Sequence, residues 1–378
     1  MIKYLGSKRT LLPLITSVVG ALRPSGTVID LFSGTSRVGH ALKRLGYRVR
    51  ANDHTAYAAT LAACYVQADA EAHAEAVAAL LPDLARLPGR PGWFTETYCE
   101  RSRFFQPQNG ARIEAIRGAI DEMGLPPERR AVLLVALMEA ADRVDSTTGV
   151  QMAYLKGWAP RAKNDLALRL PALLPRAASG RGEAHQLDAI DAVAQLEGHV
   201  CYIDPPYNQH KYLGNYHIWE TLVRWDAPEV FGTACKRVDC KTRGSVFNSR
   251  PQAANALARV ISGVRARDLV VSFSDEGFLT RDAIVAMLEP RGEVLVFERD
   301  SSRYVGARIG GFNPRGERVG VVSHLRNTEL LFVVTPSAAA AKRVRALRAA
   351  LTAADARPTA EREAGTTPAS PMETSRGP

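Results

Sequence analysis

Hydrophobic and polar positions divide the chain into strand–helix alternation towards both ends and a long helical stretch between them. Residues 11–22 carry apolar side chains at helical spacing. Thr27 to Phe32 is a short, β-rich apolar run and reads as a buried strand. It enters Ser33-Gly34-Thr35-Ser36, after which Val38 to Leu45 is helical in pattern. Gly46 closes that helix, and Tyr47 to Asn52 alternates as a second strand. Strand, glycine-containing turn, helix and strand make a βαβ unit, the opening of a doubly wound α/β sheet.

Residues 56–87 are alanine-rich and helical in pattern. Pro88 to Gly92 interrupts them, and 110–123 and 127–144 return to helical spacing. Further strands are predicted at His199–Ile203, Leu269–Phe273, Glu293–Phe297 and Glu329–Val334. The expected organisation is a discontinuous sheet domain, 1–65 and 179–335, around a helical insert at 66–178. From Pro336 large apolar residues become rare. Residues 338–352 fit a surface helix inside a low-complexity tail, 336–378, whose last 25 or so residues read as disordered.

Composition narrows the class. Of 378 residues, 46% are hydrophobic, enough for a sizeable core, so a mostly disordered chain is excluded. No apolar run approaches the ~20 residues that span a bilayer; the longest is Ala131 to Met138. The first residues lack the apolar core of a signal peptide, so no membrane association and a cytoplasmic location are expected. Five cysteines without Cys-x-x-Cys spacing read as reduced thiols. None of the histidines has a partner at ligand spacing, so no metal is expected. The formal charge of +10 suggests a polyanionic partner. Much of it lies in two clusters that follow the strand at His199–Ile203. Residues 236–250 hold Lys236, Arg237, Lys241, Arg243 and Arg250 against Asp239. Residues 299–326 hold six arginines, Arg303 and Arg308 among them, against Asp300 and Glu317.

The most informative segment is Val200 to Tyr207, an apolar strand that ends in Asp204-Pro205-Pro206-Tyr207. In open α/β sheets ligands bind at the carboxyl ends of strands. The prolines remove backbone donors and stiffen the turn. A carboxylate, a bare carbonyl and a ring face remain, a set that suits a planar ligand bearing an exocyclic amine. The plain alternative is a Pro-Pro turn in which Asp204 caps a helix.

Asp-Pro-Pro-Tyr after an apolar strand resembles the catalytic motif of S-adenosylmethionine-dependent amino-methyltransferases, above all the Dam-type DNA adenine N6-methyltransferases. Asp30-Leu31-Phe32-Ser33-Gly34-Thr35 resembles their Asp-x-Phe-x-Gly-x-Gly cofactor loop, with Ser36 where a second glycine is usual. Lys3-Tyr4-Leu5-Gly6-Ser7-Lys8-Arg9 resembles their N-terminal Lys-Trp-x-Gly-Gly-Lys segment. The order of segments also matches, with the insert in the place of the target-recognition domain. The resemblance covers about residues 1–335. It implies a Rossmann-like methyltransferase sheet with a helical inserted domain, S-adenosylmethionine as methyl donor and double-stranded DNA as substrate. A restriction endonuclease encoded nearby is a further possible partner.

Roles follow by chemistry. Asp204, Pro205, Pro206 and Tyr207 would bind and stack on a flipped-out adenine. Asp53, after the second strand, suits the ribose hydroxyls, or else caps a helix. Lys8 suits the cofactor carboxylate, or else is a solvated lysine. Tyr4, Phe32, Gly34 and Thr35 would line the cofactor site, and Asp30 would orient the loop or meet the cofactor ammonium. Gln186 or Asp188 would contact the cofactor adenine. Lys236, Arg237, Lys241, Arg243, Arg303 and Arg308 would hold phosphates, unless these are solvated loops. The competing readings are an RNA adenine methylase and a DNA-binding protein of this fold that has lost transfer, for which Ser36 is the only support. Transfer to cytosine N4 usually goes with serine in place of Asp204.

Overall fold

The computed structural model describes residues 1–302 and 326–355. Its strands are β1 (Thr27–Asp30), β2 (Arg48–Asn52), β3 (Glu183–His185), β4 (Val200–Ile203), β5 (Val230–Phe231), β6 (Lys236–Arg237), β7 (Asp268–Ser274), β8 (Glu293–Ser302) and β9 (Arg326–Thr335). Seven of them form one sheet in the order β3-β2-β1-β4-β7-β9-β8, and β5 and β6 form a separate hairpin. Strands β3, β2, β1, β4 and β7 run parallel, and β9 is antiparallel to both β7 and β8. The sheet is therefore mostly parallel, with an antiparallel hairpin at one edge. Every residue of β4 and β7 is buried, as a central strand covered on both faces requires.

Alternation along the strands sorts the two faces. Val28, Val49, Val200, Tyr202 and Val333 pack under the helices Leu12–Leu22 and Arg37–Arg44. Ile29, Cys201, Ile203, Val271 and Phe332 pack under Ala189–Gln195 and Arg250–Gly263. The predicted strands reappear at their places, with β8 and β9 longer than expected. Strand β3 was not anticipated, because Glu-Ala-His is too short and polar to carry a period.

The helix-rich stretch supplies Ala70–Arg86, Pro107–Glu122 and Pro127–Arg143. The expected single helix at 56–87 is broken. Ala56–Ala62 runs into a wide turn closed by Ala68 N–H to the Ala63 carbonyl at 2.8 Å, and the helix restarts at Ala70. The core of this body also takes in Ile2, Trp219 and Leu222, so the helix His217–Arg224 and the N-terminus share it. The helix expected at 338–352 is present, but it is packed onto the fold instead of lying free on the surface. Ala338–Asp355 is a helix that buries Ala340, Ala341 and Val344, and Arg343 donates to the Ala21 and Leu22 carbonyls at the end of Leu12–Leu22. The expectation of disorder beyond it falls outside the described residues. All five cysteines are free and buried. No helix among the described residues is long and apolar enough to cross a membrane.

Candidate active site

A cleft open to solvent lies at the carboxyl ends of β1, β2 and β4, where open α/β sheets bind their ligands. Three loops and the N-terminal segment build it. Strand β1 delivers Asp30, then Phe32, Gly34 and Thr35, all on the cleft wall. Gly34 has φ +50° and Ser36 φ +57°, so the loop makes two left-handed turns before the helix Arg37–Arg44. Glycine meets the first without cost. Serine meets the second at about 1–2 kcal/mol, with its hydroxyl buried and unpartnered.

Two carboxylates brace this loop. Asp30 Oδ2 accepts the Gly39 N–H at 3.0 Å, and a side chain on Gly39 would sit 2.9 Å from Val66 Cγ2. Asp30 on β1 and Val49 on β2 are almost as near, at 3.1 and 3.4 Å, so close packing of the helix on these strands explains that glycine. Asp30 Oδ1 is buried without a partner. Burial, then the nearby Asp204, raise the Asp30 carboxyl to about 7 against the Gly39 hydrogen bond. Asp53 Oδ2 accepts the Gly34 N–H at 3.1 Å, and its Oδ1 accepts Thr55 N–H and Oγ1–H at 3.0 and 2.8 Å. The carboxylate after β2 therefore caps its own turn and ties it to the glycine loop.

Asp204, Pro205 and Pro206 face the same cleft from the end of β4. Asp204 Oδ1 lies 3.2 Å from the Lys8 ammonium, whose other partner is Glu329 Oε2 at 3.1 Å. Burial opposes the charge on Lys8, but Asp204 and Glu329 overcome it and hold the amine well above its usual range. Burial raises the Asp204 carboxyl to about 6; Lys8 pulls it down and Glu329 pushes it up. The hydroxyls of Tyr202 and Ser272 are buried beside this group, and Ser272 helps to hold the Asp204 carboxyl down. The Tyr207 ring packs against Phe273, centroids 5.6 Å apart, with Lys8 Nζ 5.7 Å from its centroid.

The N-terminal segment closes one side. Tyr4 stacks on Tyr216 at 4.6 Å and Tyr212 at 5.3 Å, shares a hydrogen bond with Tyr57 at 3.2 Å, and lies against Gly34. Tyr57, Tyr212, Thr55 and Arg37 also line the cleft. Tyr212 lies five residues after the Asp-Pro-Pro-Tyr segment. Tyr57, Thr55, Arg37 and the Glu329 partner of Lys8 were not singled out by sequence. Arg37, next to the glycine loop, is the one that adjacency could have found.

Some candidates are placed elsewhere. Gln186 is exposed and Asp188 caps the helix Ala189–Gln195 by accepting the Ile190 N–H; neither lines the cleft. Lys8, expected at the cofactor carboxylate, is engaged by two protein carboxylates. Arg237 is 2% exposed, with Asp226 and Asp239 on its guanidinium, and Arg243 bridges Glu220 and Asp239. Those two arginines hold the fold together and are not free for phosphates. Lys241 is exposed over the Phe231 ring, and Lys236 is half-buried. Arg303 and Arg308 lie outside the described residues.

The chain matches a family model described as D12 class N6 adenine-specific DNA methyltransferase over residues 4–287. It is similar to the type II methyltransferase M.FokI of Planomicrobium okeanokoites, 28% identical over 319 residues, 77% of this chain and 47% of the relative. It is 28% identical to the type II methyltransferase M.NlaIII of Neisseria lactamica over 313 residues, 80% of this chain and 92% of the relative. The modification methylase StsI of Streptococcus sanguinis is 26% identical over 303 residues, 76% of this chain and 46% of the relative. The chain thus spans about half the length of M.FokI and StsI and most of M.NlaIII. With the family match running from the N-terminal aromatic wall through the glycine loop to the Asp204 corner and beyond, the chain belongs to the D12 class N6 adenine-specific DNA methyltransferases.

Proposed function

We propose that the chain methylates N6 of an adenine flipped out of double-stranded DNA, as a modification methylase. One observation carries this reading: Asp204 and Pro205 line the same cleft as the Asp30–Gly34 loop. Adenine N6 is a poor nucleophile because its lone pair is delocalised into the ring. The Asp204 carboxylate and the Pro205 carbonyl would accept its two N–H groups and hold the lone pair towards the cleft. Fixing two reactants in line supplies much of the rate. Base flipping is implied, since an adenine inside a duplex cannot enter such a corner.

The cleft fits S-adenosylmethionine by its unsatisfied groups. Asp30 Oδ1 is a buried acceptor without a donor, and Arg37 Nε a buried donor without an acceptor. The ammonium and carboxylate of the cofactor would satisfy them, Arg37 taking the part expected of Lys8. Asp53 would take the ribose hydroxyls, with Phe32 and Tyr4 as apolar walls. When bound, the cofactor supplies an electrophilic methyl group on a cationic sulfonium. The test is transfer from labelled S-adenosylmethionine to duplex DNA or to RNA, with the modified base mapped. Label on DNA adenine is expected, and Asp204→Ala should abolish it while DNA binding persists. Label on RNA alone, or an active Asp204→Ala protein, would overturn the proposal.

A further inference from the structure

Glu329 lies on β9, beyond the residues that carry the family match, and nothing in its sequence context marks it. We propose that Glu329 is a positioning residue for methyl transfer, holding the Lys8 ammonium against Asp204 and setting how strongly that carboxylate accepts the N–H groups of the target base. This rests on the methyltransferase reading above.

The geometry is a shared cation. Lys8 Nζ is 3.1 Å from Glu329 Oε2 and 3.2 Å from Asp204 Oδ1. The three side chains are 7%, 11% and 18% exposed, so water screens them weakly. Lys8 comes from the N-terminal segment on a long, flexible side chain. Glu329 comes from a strand paired on both sides, opposite Ser274 of β7 and Arg299 of β8. The rigid strand thus anchors the mobile amine. With two acids on one amine, the group keeps a net negative charge. Lys8 facing Asp204 alone would neutralise it and leave a poorer acceptor.

The other groups facing Asp204 are Tyr202 from β4, Ser272 from β7, Asp30 from β1, and Tyr207 and Tyr212 from the segment that follows. Asp30 is a second acid and remains in place when Glu329 is changed. Facing Glu329 are Lys8, Asp204, Tyr207 and, in strand register, Arg299 and Ser274. Glu329 and Lys8 act on Asp204 in opposite senses, so their removal must shift its titration in opposite directions.

The test is single-turnover methylation of duplex DNA across pH, with DNA affinity and the thermal midpoint as checks on the fold. Glu329→Gln keeps the shape and removes the charge. Its acid limb should move down by roughly one pH unit, and its plateau rate should fall about tenfold. Lys8→Met should move the limb up. Glu329→Asp, which keeps the charge, should restore the wild-type limb. A Glu329→Gln protein with wild-type limb and plateau overturns the proposal. If Glu329→Gln melts early, Lys8→Met and the Lys8→Met/Glu329→Gln double variant decide. On the Lys8→Met background the second change should alter the plateau by less than about threefold, and a larger loss overturns the claim that Glu329 works through Lys8. Failure of the parent reading is distinct, because the wild-type protein would then leave DNA adenine unmethylated.

Discussion

Replacing Arg237 by methionine tests whether a cation from the basic cluster serves the fold or the DNA. The guanidinium donates to Asp226 at 2.6 and 2.8 Å, to Asp239 at 3.0 Å from two nitrogens, and to Thr221 Oγ1 at 3.3 Å. Methionine keeps much of the stem and removes all five contacts. Removing one partner from a buried ion pair costs about 3–5 kcal/mol. Here the abandoned acids keep 30% and 28% of their surface, so water recovers part of the loss. A destabilisation of about 2–3 kcal/mol is expected, read as a shift in urea midpoint at neutral pH. The pH dependence has a definite sign. Burial opposes ionised Asp226, but Arg237 and Arg224 prevail and hold its carboxyl at about 2. A depressed native value stabilises the protein above the ordinary carboxyl range and loses that contribution as pH falls towards the native value. The gap between wild type and variant should therefore close between about pH 4 and pH 2. Loss of a phosphate contact would instead lower the salt slope of DNA binding by about one. A variant that melts like wild type but shows that reduced slope would refute the structural assignment.

Asp30→Asn should flatten two pH dependences at once. With its carboxyl raised to about 7, the cofactor-free protein loses stability as pH climbs from the usual carboxyl range towards 7, and the loss levels off above it. Affinity for S-adenosylhomocysteine, measured by calorimetry, should rise over the same window in wild type and stay weak and flat in the variant. Ser36→Gly relieves a left-handed serine and removes an unpartnered hydroxyl, against the added flexibility of the unfolded glycine. A gain of about 1 kcal/mol in thermal or urea unfolding is expected, and a loss would show that the turn is not strained.

What could be read from the sequence shares one property: its chemistry is contiguous along the chain. Asp30, Gly34 and Asp53 sit within one βαβ unit, and Asp204 to Pro206 within one turn, so spacing alone brings them to the cleft, with Gly39 behind Asp30. The failures are contacts made across the fold. Arg237 reads as a free charge because Asp226 is eleven positions away, on the far side of the β5–β6 hairpin, and meets it only once the chain doubles back. A helix at 338–352 is legible but its burial is not, because alanines carry little hydrophobic pattern; Ala340 and Val344 nevertheless pack into the core beside β8 and β9, and Ala341 is buried with them. Lys8 reads as a cofactor ligand because it is a conspicuous cation of its segment, but a cation goes to the strongest field available, and two buried carboxylates define that field. One of them, Glu329, stands 321 positions away on a strand whose pattern is set by packing, where a single acid reads only as an outward-facing residue. A motif therefore identifies the reacting corner, while the groups that tune its charge arrive from strands that only the closed sheet brings alongside.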